Sequence, residues 1–514
     1  MRAATTPHTG IPVTHRSLAE LEAARLRYEL SRLRDRRTVR AALALTSWRR
    51  DGLGAVWASV RGQPPRWDAA GPDDVPARPR YPHLRVAHLA PDPVSAGVAP
   101  SQRLTPGDVR AIRRDRVDLL LVDDVWDGAA LAAAVRAARD VGAAVVAVGG
   151  RATACLDAAG LAPTLVVALT DDEVTPAPRA HLRWLPSVDP RVDAPVGRSA
   201  HPVGADGADL GALLRRIARA EVPVVADDAA LRPALGPLTD EVVAGHGQVA
   251  TLVTALGADP DACDALSVRL RRHVLAHHSR AARMDELVAA LGLDERPRRR
   301  IGLLLATRRP GQLPRVTGDL ARQSHDDLEL VVAVHGDEPV PPGLHLAPSH
   351  VLHVAQERPL GAVLNAALDA TTSPLLAKID DDDRYGRHHL EDLLLALDYS
   401  GAEMVGKRRH ALHDLRTGAL VVETGQHEER WEDHLPGATL LVRGEVLRAL
   451  RWRHVPSGVD TELVRAIHLT GGACYSTHRF GFVRTRHGDN TFAGDASLRH
   501  GARATAGLEA HLAV

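Results

Sequence analysis

Four consecutive aspartates, Asp380–Asp383, end the apolar run Pro374-Leu-Leu-Ala-Lys-Ile379 and precede the turn residues Arg384-Tyr-Gly386. The run is short enough for one strand, and a helical pattern follows it. Two unit charges about 4 Å apart repel by about 1 kcal/mol in water and about 4 kcal/mol near a protein surface. Fixing four carboxylates at a strand end is therefore costly unless a cation sits among them. Hard divalent cations take oxygen ligands, and Mg²⁺ is usually held by one or two carboxylates together with substrate phosphates. The stretch predicts a metal–diphosphate site. The plainer role is a solvated acidic turn in which Asp383 or a neighbour caps the next helix. A calcium EF-hand loop fails on spacing. Counted from Asp380, Tyr385 stands where glycine is needed; counted from Asp381, Asp392 stands in place of the twelfth-position glutamate.

At 514 residues the chain is too long for a single core. Residues 1–80 read as a leading helical segment and a linker. Ser17-Leu-Ala-Glu20 has the capping-box form, and Leu18, Leu21, Leu26, Leu30 and Leu33 recur at helical spacing with arginines on the other face. Such a helix suits a homo-oligomer contact or peripheral contact with an anionic membrane, and more plainly packing on its own protein. Gly62 to Tyr81 is rich in proline and glycine and reads as the linker.

Residues 82–292 alternate short apolar runs with helical stretches. Arg85–Ala90, Asp118–Val122, Ala143–Val148, Leu165–Ala168 and Val222–Ala226 predict buried parallel strands, with helices over Ala129–Val141 and Gly207–Ala220. The pattern is α/β and Rossmann-like, without a GxGxxG fingerprint. His277 and His278 are adjacent, so on a helix they diverge by about 100° and make a poor metal pair. Leu293 to Arg300 is a basic linker, and residues 300–514 form a further domain. There Ile301–Ala306, Leu328–Val334, Val351–Val354 and the opening run predict four strands, with helices over Leu313–Gln323 and Gly361–Ala370. Open α/β sheets bind ligands at the carboxyl ends of their strands. That rule aligns Thr307, His335-Gly-Asp337 and the four aspartates along one crevice.

The 64 basic and 64 acidic residues cancel, so no global field recruits nucleic acid. The only lysines are Lys378 and Lys407, a preference for arginine that fits a GC-rich bacterial genome. The three cysteines are far apart, which fits a reducing compartment. With no apolar run of about 18–20 residues and no signal-peptide pattern at Met1–Thr14, a cytoplasmic protein is expected.

Ile301 to Pro310, Gly361 with Asn365, and Ile379-Asp-Asp-Asp-Asp383 together resemble family 2 glycosyltransferases of the GT-A fold, over about residues 300–490. The resemblance implies a nucleotide-diphospho-sugar transferase domain in which Thr307 and Arg309 flank the nucleotide. It assigns Asp380 and Asp382 to a metal, Mn²⁺ or Mg²⁺, and the donor diphosphate, with Asp383 in support. The donor would be a UDP-, dTDP- or GDP-sugar. Where the family's second strand ends in an acidic pair that helps read the base, this chain has Val334-His-Gly-Asp337, which leaves Asp337 as the displaced candidate.

Pro436–Val442 reads as an acceptor-side strand, and Ser457-Gly-Val-Asp460 opens a helix. By the resemblance, Asp460 is the general base that deprotonates the acceptor hydroxyl, with Glu462 as local rival; a positioned base commonly contributes about 10²–10⁴-fold. The plainer role is helix N-cap. His487 stands where such domains carry a late histidine that completes the metal shell or contacts the diphosphate; the plainer role is a satisfied surface residue. His410, His413, Glu428, Glu429 and Trp431 fall in an expected acceptor loop and carry no assigned chemistry.

Two stretches, His181 to Pro190 and Val274 to Leu291, resemble parts of one half of GT-B (group 1) glycosyltransferases, although the donor loop expected between them is not visible around Val224 to Pro237. The implied layout is a degenerate GT-B-like accessory half followed by a GT-A domain. It implies an inverting, metal-dependent transfer of a single sugar to a cell-wall or capsule glycan intermediate or a small metabolite. The alternative is a non-catalytic binding or scaffold protein built on sugar-nucleotide folds.

Overall fold

The structure, a computed structural model, describes residues 80–487 and 502–514 apart from short breaks, the longest of them 170–180 and 184–200. The leading helical segment, the first linker and most of the His181–Pro190 stretch lie outside the described residues. What is described falls into two compact units that divide in sequence at residues 298 and 299.

The first unit holds a six-stranded, wholly parallel sheet built from Val86–His88, Ser101–Arg103, Leu119–Val122, Ala144–Val148, Leu165–Ala168 and His181–Arg183. The second of these strands lies outside the first and the rest follow in sequence, the 2-1-3-4-5 order of one common doubly wound fold. Leu119–Val122 is fully buried, as a central parallel strand covered on both faces must be. One of its cores takes Met284, Leu287 and Val288 from helix Arg280–Ala290, a 3- and 4-residue spacing that keeps them on one stripe. Val222–Ala226 was expected beside the other four strands. It lies instead in Glu221–Ala226, the centre of a separate three-stranded parallel sheet with His201–Ala205 and Val243–Ala244. An apolar run specifies burial but not which strand it pairs with. His278 is buried, and its Nε2 and that of His273 both lie 2.8 Å from the Ala234 carbonyl oxygen, so the pair is satisfied internally.

The second unit is built on an eight-stranded sheet. Its strands are β1 (Ile301–Thr307), β2 (Leu328–His335), β3 (His350–Val354), β4 (Leu375–Ile379), β6 (Met404–Gly406), β9 (Arg430–Trp431), β10 (Leu441–Arg443) and β11 (Cys474–Ser476). A five-stranded sheet contains β5 (Arg384–Tyr385), β7 (Ala411–Asp414), β8 (Ala419–Glu423), β12 (Phe482–Arg486) and β13 (Ala502–Ala504). The orders are β3-β2-β1-β4-β10-β6-β11-β9 and β5-β12-β7-β8-β13. β1 to β4 are parallel, and β10 joins β4 antiparallel. The helices are α1 (Leu313–Ala321), α2 (Leu360–Asp369), α3 (His389–Ser400), α4 (Gly444–Leu450), α5 (Val459–Leu469) and α6 (Leu508–Ala513). A buried cluster joins Leu304, Val331, Val363, Leu364, Leu376, Val442, Leu463 and Ile467, packing α2 and α5 onto the sheet. Pro436–Val442, expected as one strand, divides into a 3-10 turn at Gly437–Thr439 and the short β10, because Gly437 carries the chain past the α5 terminus.

Candidate active site at the acidic run

The acidic run links the two sheets: β4 ends at Ile379 and β5 begins at Arg384. Arg315 of α1 holds its backbone, donating to the Asp381 carbonyl at 2.6 Å and the Asp383 carbonyl at 2.8 Å. The Tyr385 hydroxyl, itself buried, accepts from the Asp380 amide at 2.8 Å. A sharply bent, polar segment is thereby given partners for groups that water would otherwise have to satisfy.

The four carboxylates take different partners. Asp381 accepts from the Thr307 hydroxyl and from Arg309 Nη2, each at 2.5 Å. Asp382 Oδ2 lies 2.9 Å from Arg309 Nη2 and 2.9 Å from His487 Nε2. Asp383 accepts from the Thr485 amide at 2.8 Å. Asp380 Oδ1 takes Lys378 Nζ at 2.6 Å, and the same ammonium lies 3.7 Å from Asp460 Oδ2. Much of the repulsion that made the run improbable in isolation is thus offset by the chain's own cations, arginine on one side and lysine on the other.

These surroundings set the protonation of each acid. Burial pushes Asp381 up, more than Thr307 and Arg309 pull it down. Burial also pushes Asp382 up, but Arg309 and His487 outweigh it and hold the carboxyl below the usual range. Asp383 is raised well above that range, first by burial and then by the charges of Asp380 and Asp382. Asp460 is raised by burial, with Lys378 pulling the other way.

Pairing of β5 with β12 (Arg384 opposite Val483, Tyr385 opposite Phe482) brings a segment from 105 residues downstream against the acidic run. It delivers His487 beside Asp382. Thr307 closes β1 with its hydroxyl on Asp381, and that oxygen also accepts the Arg309 amide at 2.8 Å. Asp337 is not brought in: β2 ends at His335, and Asp337 is exposed beyond Gly336. The residue buried at that strand end is His335, whose Nδ1 accepts from Arg308 Nε at 3.0 Å.

Asp460 lies in the first turn of α5, but it is not the cap. Gly458 is, with φ of 72°, a backbone that favours glycine. Asp383 does not cap the following helix either; α3 begins at His389 after His388. The carboxylate of Asp460 packs on Gly437, where a Cβ would stand 1.8 Å from Oδ2. Its Oδ1 is buried with no hydrogen-bond partner. The Gly361–Asn365 pair acts at one remove. A Cβ at Gly361 would stand 1.8 Å from the Arg453 carbonyl oxygen, and Asn365 brackets Trp452 by accepting its amide at 2.9 Å and donating to its carbonyl at 2.7 Å. The pair fixes the segment that leads into α5.

Lys378, Arg315 and Gly437 were not among the sequence candidates. Lys378 alone left a signal, as one of two lysines among 64 basic residues. Glu428 and Glu429, expected in an acceptor loop, are committed inside the fold: Glu428 to Arg409 and Arg479, Glu429 to the hydroxyls of Tyr399 and Tyr475.

Among the described residues, no three His, Cys, Asp or Glu side chains converge as a ready-made ion cage. Asp382 Oδ2 and His487 Nε2 nevertheless lie 2.9 Å apart. An oxygen and an imidazole nitrogen are donors that a divalent ion accepts, and these two would hold one only if Arg309 yielded its place and other ligands came from elsewhere.

No protein-family model and no curated protein matches the chain. Among solved structures it is similar to S. aureus TarS, at 13% identity and a TM-score of 0.30, over 36% of this chain and 37% of that one. It is similar also to TarS 1-349 in complex with UDP-GlcNAc, at 13% identity and a TM-score of 0.31, over 37% of this chain and 60% of that one. The chain therefore covers less than two thirds of either neighbour.

Proposed function

We propose that the second unit transfers a single sugar from a nucleotide-diphosphate sugar to a hydroxyl acceptor, with inversion and with a divalent ion. The observation that carries this reading is the pairing of two unlike acidic groups about one strand end. On one side Asp382, His487 and Arg309 form a group suited to an ion and a diphosphate. On the other, Asp460 offers a buried, unpartnered carboxylate oxygen.

Asp382 and His487 would hold Mn²⁺ or Mg²⁺, with Asp380 the further carboxylate of the run. The ion would supply Lewis-acid stabilisation to the leaving diphosphate. Arg309 would turn from the acids to the phosphate oxygens, for which its planar fork is suited. Thr307 keeps Asp381 and the Arg309 backbone in place. Asp460 would take the proton of the acceptor hydroxyl as its oxygen attacks the anomeric carbon. Acceptors in this reading are a cell-wall or capsule glycan intermediate or a small metabolite.

The test is hydrolysis of a panel of UDP-, dTDP- and GDP-sugars with Mn²⁺ or Mg²⁺, for wild type and Asp382→Asn. Loss of turnover of about 10²-fold or more in the variant and on addition of EDTA is expected; activity that survives both removes the ion from the reading. One observation favours a non-catalytic binding protein: Arg309 already closes on Asp381 and Asp382. That reading predicts no turnover with any donor, and calorimetry showing no nucleotide binding would leave only a scaffold.

A further inference from the structure

Lys378 is a buried ammonium in a strand whose five residues are all buried. Placing such a charge there is unfavourable unless partners repay its lost hydration. Two do: Asp380 Oδ1 at 2.6 Å and Asp460 Oδ2 at 3.7 Å. The chain has only two lysines among its 64 basic residues, and both are buried in this unit. In a sequence that otherwise uses arginine, a lysine at this point stands out. A compact ammonium with three donors fits between two carboxylates, whereas a planar guanidinium needs a wider, bidentate seat.

Asp460 is held on one oxygen only. Its Oδ2 faces Lys378 and also rests on Gly437, where any Cβ would overlap it. Its Oδ1 is left without a partner. We propose that Lys378 is a positioning residue that hangs Asp380 of the donor strand and Asp460 of the acceptor-side helix on one cation, fixing the part-exposed Asp460 carboxylate for the acceptor proton. This rests on the transferase reading above. In the step concerned the acceptor oxygen forms the bond to the anomeric carbon and its proton passes to the Asp460 carboxylate. The bond from that carbon to the diphosphate oxygen breaks, and its electron pair leaves with the nucleotide.

The test compares Lys378→Met, Lys378→Arg and Asp460→Asn in the full chain. Three measurements are made: hydrolysis of the best donor in the panel with water as acceptor, UDP affinity by calorimetry, and a crystal structure of Lys378→Met. Lys378→Met is expected to lower kcat by about 10²-fold, within the span of a misplaced base, while KM for the donor and the Kd for UDP change by less than about twofold. Lys378→Arg should restore part of kcat, because a cation returns. In the Lys378→Met crystals the Asp460 carboxylate should have left its seat on Gly437. An unchanged kcat, an Asp460 that stays in place, or a loss of UDP affinity in step with kcat would each overturn the proposal. The crystal structure decides even if no donor in the panel is turned over, and Gly437→Ala, which displaces Oδ2 from the other side, serves if Lys378→Met does not fold. Turnover retained by Asp460→Asn would sink the general-base reading itself. Turnover lost by Asp460→Asn but kept by Lys378→Met would sink this inference alone.

Discussion

Thr307 shows how a single hydroxyl serves both the backbone and the site. It donates to Asp381 and accepts from the Arg309 amide, so its removal leaves a buried carboxylate and a peptide N–H short of a partner. Unsatisfied buried groups cost about 1–3 kcal/mol. Thr307→Val, nearly the same shape, is expected to lower unfolding stability by that amount in urea titration; a change under about 0.5 kcal/mol would show that water or a rearranged Arg309 replaces the hydroxyl. At this scale the sequence was partly legible. The length of the acidic run singled out the segment, and Asp382 lies in it beside His487. What charge density could not show was the division of labour. Asp383, expected in support, ties β12 to the run, and Asp381 proves to be the acid that Thr307 and Arg309 hold. Lys378 was hidden because one polar residue inside an apolar run says nothing about what it faces.

Among the elements, α6 is attached through a buried histidine that proton uptake would disturb. His511 is buried, its Nε2 lies 3.0 Å from the Arg479 carbonyl oxygen, and the Gly481 amide donates to the His511 carbonyl at 3.2 Å. Gly386 makes room for the helix: a Cβ there would stand 2.2 Å from the Leu512 carbonyl oxygen. Nδ1 of His511 is buried without a partner. Burial lowers the imidazole to about 4, with the Arg479 carbonyl opposing and the Arg479 and Lys407 charges adding to it. An unfolded histidine titrates near 6.5. Between those values the unfolded chain binds the proton and the folded chain does not, so stability falls as pH drops from about 6.5 to 4. His511→Gln is expected to lose less of its melting temperature over that interval than wild type; equal losses would place the sensitivity elsewhere. The strands β1, β2 and β4 and helices α1 and α2 were readable because apolar periodicity reports them directly. The 3-10 turn at Gly437 was not; Gly437 packs on Asp460, 23 residues away in sequence, a contact that local apolar periodicity does not report.

Across the whole molecule, continuous apolar runs marked parallel strands in both units, and their alternation with helices marked α/β architecture. The runs could not show that Glu221–Ala226 belongs to a separate three-stranded sheet, nor that the short polar strand Ser101–Arg103 flanks the first. Pairing partners are set by tertiary packing, which a single strand's composition does not encode. The two lysines have a consequence outside any reaction. With Lys378 and Lys407 both enclosed, the folded chain shows reagents no lysine amine, although 64 of its residues are basic. Brief acylation by an N-hydroxysuccinimide ester should leave both lysines unmodified in the native protein, the terminal amine aside, and label both in 6 M guanidinium, as read by peptide mass spectrometry; native labelling of Lys378 would contradict its enclosure. The same scarcity makes the fold's integrity a chemical quantity, since each acylated lysine records one opening of the unit that encloses it.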